Sequence, residues 1–386
     1  MRAHLVVAAA TIAAVSGVMA SCTSAGTQAA GAQRASSPSG TAPASPAPAV
    51  SVTCSDRTSD AATLQMAVNS SPPGAAINIQ GGTCLLTKGI ELPGDRTYTG
   101  AGTAATTLVQ DAGLPYVLAS AAYTGNSTTT GDPVTIRDLT VSCDGSGSTD
   151  GIIIMNWHAD VEHVDVNGCG GSGIVDTNTA ANGEAITNTS VNSRFDNNFI
   201  SNSGQYGFDV RDSASAVTDG FLDDNQVESS AKDAIHLDDA VGWDISGNHV
   251  YGDSQDAIYA SPLYGTTISN NYIEDFGDKQ RSGTWYGIVG TAQGDVGSTI
   301  FNNKVFNDNG ETAGATYVYL AVTQANYRTG YLSVTGNVIV GVRPGDIGCS
   351  FDGGQNKLVI ASSGNEVANV GTARRIGSGV TLTSGI

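Results

Sequence analysis

A short pattern, Asn-x-Val/Ile, limits the folds open to this chain more than any other feature. It occurs at Asn198-Phe199-Ile200, Asn225-Gln226-Val227, Asn248-His249-Val250, Asn271-Tyr272-Ile273, Asn303-Lys304-Val305, Asn337-Val338-Ile339 and Asn365-Glu366-Val367. The Asn-to-Asn steps are 27, 23, 23, 32, 34 and 28 residues. Self-similarity at such a period is the signature of a solenoid, in which each repeat buries its apolar face only against its neighbours. Ten residues after Asn198, Asn225, Asn248 and Asn337 stands an apolar residue, respectively Phe208, Ile235, Ile258 and Ile347. The surrounding stretches read "YGFDVRD", "DAIHLDD", "DAIYASP" and "DIGCSFD". Apolar and polar residues alternate in them, as in strands with one buried face. No helical period of similar strength runs through the repeats. The expected fold is all-β, a single-stranded parallel β-helix whose coils stack at about 4.8 Å. An Asn returning at one bend is expected to form an internal hydrogen-bonded ladder, a structural role.

The N-terminus reads as a processing signal. Arg2 precedes the apolar run "LVVAAATIAAVSGVMA", and Ser21-Cys22 follows it. "MASC" resembles a bacterial lipobox, with Cys22 as the lipidated residue and Met19 in place of the usual Leu. Ordinary secretion is the alternative. Residues 23–50 are almost entirely Ser, Ala, Gly, Thr, Pro and Gln, a composition that buries no core and reads as a tether. The expected organisation is a signal and lipobox over 1–22, a tether over 23–50 and a β-helix domain over 51–386, outside the cell. Export permits disulfides. Cys54–Cys84 and Cys143–Cys169 are the candidate pairs and Cys349 is left over, the alternative being that all are free and buried. The net charge of −19, with Lys+Arg at only 17, argues against nucleic acid and anionic membrane surfaces as partners. Membrane contact is expected only through the lipid anchor, and the oligomeric state is left open.

Over about residues 54–380 the repeats resemble the right-handed β-helix proteins of the pectate-lyase-like superfamily. The resemblance includes "SDAATLQMAVNSSPPGAAINIQGGTCLL", where Leu64, Ala67 and Val68 share a helical face after Ser59/Asp60, an expected N-cap. It implies a helix capping the first coil, which would cover an otherwise unpaired β edge. Members of the superfamily include lyases, hydrolases, epimerases, transferases and adhesins, so fold alone does not assign chemistry.

Stacking the strands aligns the side chains. With Phe208, Ile235, Ile258 and Ile288 inward, the residues one position on form an outward column of Asp209, His236, Tyr259 and Val289. Three positions on lie Arg211, Asp238, Ser261 and Thr291, and two positions before lie Tyr206, Asp233, Asp256 and Tyr286. Upstream coils carry Asp150, Ile153 and Met155, then Ser172, Val175 and Thr177, and are blander. Chemistry therefore concentrates on the middle coils. Insertions before Ile288, carrying Lys279, Arg281 and Trp285, and before Val318 are expected to wall a groove. Acidic columns can be solvated faces and Asp often serves turns. Yet Asp233 stacked on Asp256 sets like charges together, which marks a site. His158, His163 and His249 are expected to be structural or superficial.

The first functional reading is a glycoside hydrolase acting on a polysaccharide or oligosaccharide. Asp233 and Asp256 would be the paired carboxyls, one kept protonated as the acid by the other's charge. Asp209 or Asp238 would stay ionised, His236 would tune the pair, and Tyr206, Arg211, Tyr259, Arg281, Trp285 and Tyr286 would bind sugar. This layout is similar to polygalacturonases, although the Gly-His-Gly and Arg-x-Lys elements of that family are absent. The second reading is a lyase or C5 epimerase on a uronate polymer. "YGFDVRD" resembles the Tyr-Gly-Phe-Asp-Pro-His element of alginate epimerases, with Tyr206 and Asp209 matching and Arg211 replacing the His. The third is a non-catalytic carbohydrate-binding surface protein, disfavoured by an aromatic content of 6%. No cofactor is required. Clustered aspartates suit Ca2+, so a calcium-assisted mechanism is left open. Sparse basic residues near the groove (Arg211, Lys232, Lys279, Arg281) place hydrolysis ahead of elimination.

Overall fold

The computed structural model describes residues 48–383 apart from 112, 187, 214, 281, 308–313 and 325–326. Cys22 and most of the expected tether lie outside the described residues, as does Arg281. Residues 49 and 50, placed in the tether from composition, open the strand Ala49–Val52, which pairs in parallel with Ala75–Ile79.

The chain winds as a right-handed parallel β-helix. One wall is an eleven-stranded sheet running from Ile90–Leu92 to Thr372–Ile376. The strands of the other two walls join in a single 22-stranded hydrogen-bonded sheet. These two walls separate where the long strand Ala159–Asn167 is succeeded, one coil on, by Arg194–Asp196 and Phe199–Ser201. The break between the latter is the bend that carries Asn198.

At that bend the residue before every ladder Asn has a left-handed backbone: Asn197, Asp224, Gly247, Asn270, Asn302, Gly336 and Gly364, with φ between 53° and 70°. Asn, Asp and Gly are the residues that adopt this region at least cost. Upstream, Asp138 and His163 hold the same conformation (φ 58° and 52°), so His163 belongs to the bend. The following Asn turns its amide inward. Asn248 Nδ2 donates to Asn271 Oδ1 at 3.0 Å and to Leu222 O at 2.8 Å, while its Oδ1 accepts both Asn225 N and Nδ2 at 3.0 Å. The same bonds link Asn198, Asn225, Asn271, Asn303, Asn337 and Asn365. The expected ladder is thus present over all seven positions.

Between the walls lies one apolar core. Its columns include Ile200, Val227, Val250, Ile273, Val305 and Ile339 after the ladder, and Ile152, Ile174, Phe208, Ile235, Ile258, Ile288 and Leu320 on the eleven-stranded wall. The helix Asp60–Ser70 forms where expected and buries Leu64 and Val68 in that core, with Ala67 partly buried. Ser59 makes no capping bond through its side chain. The Asp60 carboxylate instead accepts Ser55 N at 3.2 Å, Ser55 Oγ at 3.0 Å and Arg57 N at 3.0 Å, closing the loop before the helix. Both expected disulfides are formed, Cys54–Cys84 and Cys143–Cys169, with Cα–Cα distances of 4.8 and 4.7 Å. Cys349 is free and buried.

Register on the eleven-stranded wall follows the expected columns through the middle coils and departs at two places. Phe208, Ile235, Ile258 and Ile288 are paired in succession, as are Asp209, His236, Tyr259 and Val289. After Ala260↔Gly290 the register shifts, so Ser261 and Thr291 are not partners. Pro262, which has no N–H to give a ladder, lies in the shifted segment. Farther on, Ile288 pairs with Leu320 and Leu320 with Cys349. Val318 and Ile347 continue the Tyr286 column and pack with Ala321 in a small cluster of their own, apart from the main core. The inward residue of that coil is therefore Cys349, two positions beyond the expected Ile347, because the turn after Asn337 is longer.

Replacing Asn248 by Ala removes four hydrogen bonds and orphans the Asn225 backbone N–H. The expected loss is about 2–4 kcal/mol, read as a lower midpoint in thermal or urea unfolding, with the far-ultraviolet spectrum retained below the transition.

Candidate functional site

Strict alternation would send the residues two before and one after an inward strand residue to opposite faces. The structure avoids this by turning two successive residues inward. Ala234 and Ala257, directly before Ile235 and Ile258, are fully buried in the core. Gly207 and Gly287 hold the same place on neighbouring coils. A Cβ on Gly207 would meet Val227 Cγ1 at 2.3 Å, and one on Gly287 would meet Val305 Cγ1 at 2.4 Å. A Gly/Ala column therefore packs beneath the valines that follow the ladder. This double inward step brings Tyr206, Asp233 and Asp256 out beside Asp209, His236 and Tyr259.

His236 is the centre of the group. Its ring stacks between Tyr206 (centroids 4.1 Å apart, 22° between planes) and Tyr259 (4.6 Å, 9°). Its Nδ1 is 2.7 Å from Asp233 Oδ2. The other oxygen of Asp233 accepts the Asp256 backbone N–H at 3.0 Å. Taken as a carboxylate, Asp233 (5% exposed) accepts at both oxygens, which makes His236 Nδ1 the donor. Asp256 in turn accepts the Tyr286 backbone N–H at 2.9 Å. Burial, with the charge of Asp233 beside it, raises the Asp256 carboxyl to about 7, while the Tyr286 N–H opposes the rise. The same surroundings push the Tyr206 phenol up to about 12, burial first and then Asp233, Asp209 and Asp238.

A second group lies one coil upstream. Arg211 Nε donates to Asp209 Oδ2 at 2.7 Å, and its two terminal nitrogens reach Asp150 Oδ2 and Oδ1 at 2.9 and 3.2 Å. Ser172 Oγ completes the set, donating to Asp209 at 2.9 Å. Burial raises the carboxyl of Asp209, only 1% exposed, against the pull of Arg211. Arg211 is thus committed to two carboxylates across three coils. Asp150 was visible in its sequence column but without a partner to give it meaning. The cleft beside this group, about 290 Å3, is lined by Tyr206, Asp209, Arg211, His236 and the exposed Asp238.

Other expected residues fall elsewhere. Trp285 lies closely over Gly277, is packed against the core, and donates its Nε1–H to Ser282 O at 3.1 Å. It takes no part in the stack around His236. The Tyr286 ring packs with Val318, Ala321 and Ile347 and lines a second cleft on the same wall. That cleft contains Arg375, which sequence reasoning missed. Ser350 pairs with Arg375, so Arg375 stands in the column of His236, but counting from Ile347 hides it. His158 lies 3.5 Å from Asp160 and His249 3.1 Å from Glu274, both away from this wall. Among the described residues no three His, Cys, Asp or Glu side chains form a metal-ligand group.

With that geometry in view, comparison with known proteins bears on the class. Residues 150–339 match a family model described as a right handed beta helix region. No curated protein matches the sequence. Among solved structures, the A-module of mannuronan C-5 epimerase AlgE4 from Azotobacter vinelandii is similar with a TM-score of 0.57 at 15% identity, covering 86% of this chain and 96% of that one. The catalytic domain of a GH87 α-1,3-glucanase in complex with tetrasaccharides gives 0.54 at 14% identity, covering 89% and 69%. The Dettilon tailspike protein gives 0.52 at 12% identity, covering 83% and 65%. At these identities the likeness is one of fold, that of a right-handed parallel β-helix.

Arg211→Met should leave Asp209 and Asp150 without their cation. Because Asp209 is buried, a destabilisation on the order of 3 kcal/mol is expected in denaturant unfolding, whereas Asp238→Asn, at an exposed position, should change stability by less than about 0.5 kcal/mol.

Proposed function

We propose that this chain is a carbohydrate-active enzyme that hydrolyses glycosidic bonds in a polysaccharide. The observation that carries the reading is the Asp256 carboxyl, raised to about 7, one coil from His236, whose Nδ1 is tied to Asp233. A carboxyl raised to serve as general acid and an imidazole able to serve as general base thus stand on neighbouring coils. Asp256 donates its proton to the glycosidic oxygen as the bond to the anomeric carbon breaks. Water attacks that carbon and gives its proton to His236 Nε2. Asp233 stabilises the imidazolium that forms and is a positioning residue. Asp238, exposed beside His236, is the alternative acceptor for the proton of water. Tyr206 and Tyr259 offer ring faces and hydroxyls to a sugar.

A second reading, elimination or epimerisation on a uronate, has one observation in its favour. Lys232 Nζ lies 4.8 Å from the centre of the Tyr206 ring and makes no ion pair among the described residues, so it could hold a uronate carboxylate beside His236. Hydrolysis is preferred because Arg211, the other nearby cation, is already neutralised by Asp150 and Asp209. Lipid anchoring at Cys22, or secretion, with the tether over 23–50, belongs to the same proposal and would present the wall to polymers outside the cell.

The test is a panel of polysaccharides with the soluble domain, following both new reducing ends and the ultraviolet absorbance of unsaturated uronates. Reducing ends without absorbance are expected; absorbance would replace hydrolysis by elimination. Asp256→Asn keeps an acceptor for the Tyr286 N–H but loses the acid. It should lower kcat by about 10²–10⁴-fold with little change in unfolding. Because the acid must be protonated, the wild-type rate should fall as pH rises through about 7.

A further inference from the structure

The eleven-stranded wall carries two clefts with Asp256 between them. The first, around Arg211 and Asp238, lies on the coils before Asp256. The second, about 240 Å3, begins one coil after Asp256 at Tyr286 and continues through Val289, Ala321, Ser350 and Asp352 to Arg375. Register makes the two clefts collinear. Asp209, His236, Tyr259 and Val289 are succeeded in one column by Ala321, Ser350 and Arg375. Coils stack at about 4.8 Å, close to the length of one sugar unit, so a chain lying along this column would present successive sugars to successive coils.

The two clefts differ in charge. In the first, the one arginine is fully paired. In the second, Arg375 donates through Nε to Ser350 Oγ at 3.1 Å, and makes no ion pair among the described residues. Asp352, the acid of that cleft, accepts Gly354 N at 2.9 Å and Ser378 Oγ at 3.4 Å and is held in its own turn. The floor beside the guanidinium is apolar, made by the Tyr286 ring, Val289 and Ala321. A flat apolar floor with one unpaired planar cation at its edge matches a sugar ring bearing a carboxylate, which a guanidinium can grip with two hydrogen bonds.

We infer that the Tyr286–Arg375 cleft is a subsite for an acidic sugar, placed on one side of Asp256, and that the substrate is an acidic polysaccharide held along the coil stack. This rests on the proposed polysaccharide reading and adds to it the charge of the sugar beyond the cleavage point. Arg375 acts in specificity and takes no part in proton transfer.

The probes are a mannuronate hexasaccharide and the same hexasaccharide after reduction of its carboxyl groups to primary alcohols. Binding is measured by calorimetry, at fixed salt, with the wild type, Arg375→Gln and Asp256→Asn. The acidic hexasaccharide should bind the wild type about tenfold more tightly than the reduced one, and Arg375→Gln should close that gap while leaving affinity for the reduced form unchanged. Equal affinities for the two probes, or an equal loss on both in Arg375→Gln, would overturn the inference. Asp256→Asn should keep the gap. Normal turnover by Asp256→Asn would remove the acid assignment without touching the affinity gap, so the two readings fail separately.

Discussion

The bend at which Asn198, Asn225, Asn248 and their successors turn inward sets the register for everything else. Each amide receives two N–H groups from one neighbouring coil and donates to the next, so no coil can slip without breaking several buried bonds. A one-residue slip in a parallel sheet would exchange its buried and exposed faces. The ladder fixes the start of each coil, and the strands that follow inherit a common phase where the connecting turn has constant length. That is the case from Asn198 to Asn248, whose ten-residue spacing to Phe208, Ile235 and Ile258 brings Tyr206, Asp233, His236, Asp256 and Tyr259 together.

Within that frame the site depends on small residues as much as on titratable ones. Gly207, Ala234, Ala257 and Gly287 let the chain point inward twice in succession, which places the residues on either side on one outer face. The acidic side chains so gathered do not repel freely. Asp233 and Asp256 are interleaved with backbone N–H groups of the next coil, which partly offset their like charges. These bonds give both aspartates a structural role alongside the proposed chemical one. Burial, together with the remaining repulsion, raises the Asp256 carboxyl.

Much of this was legible beforehand. The coil columns through residue 289, both disulfides, the helix at Asp60–Ser70 and the ladder all followed from spacing and residue type. The first error comes from turns of unequal length. Ile347 lies at the same distance from its Asn as Phe208 does, yet it faces outward, and the slip concealed Arg375. The Ser261–Thr291 column failed at a register shift that no periodicity announces. Trp285 and Tyr286 looked alike as sugar platforms, but Trp285 packs against the core and over Gly277, while Tyr286 borders a cleft.

What the sequence determined by itself is the architecture, because a solenoid repeats one local solution and each coil needs only its neighbours. A seven-fold Asn pattern with alternating strands leaves few other ways to bury the same residues. What only the tertiary structure decided is the state of each polar group. Arg211 was a free cation in the sequence and is bound to Asp150, 61 residues away, in the folded chain. Asp233 was one of two equivalent carboxyls and became the support of His236, because both of its oxygens are already engaged. Charge, burial and hydrogen bonding at a site depend on which coils touch. Residues far apart along the chain meet there at distances that no local pattern encodes.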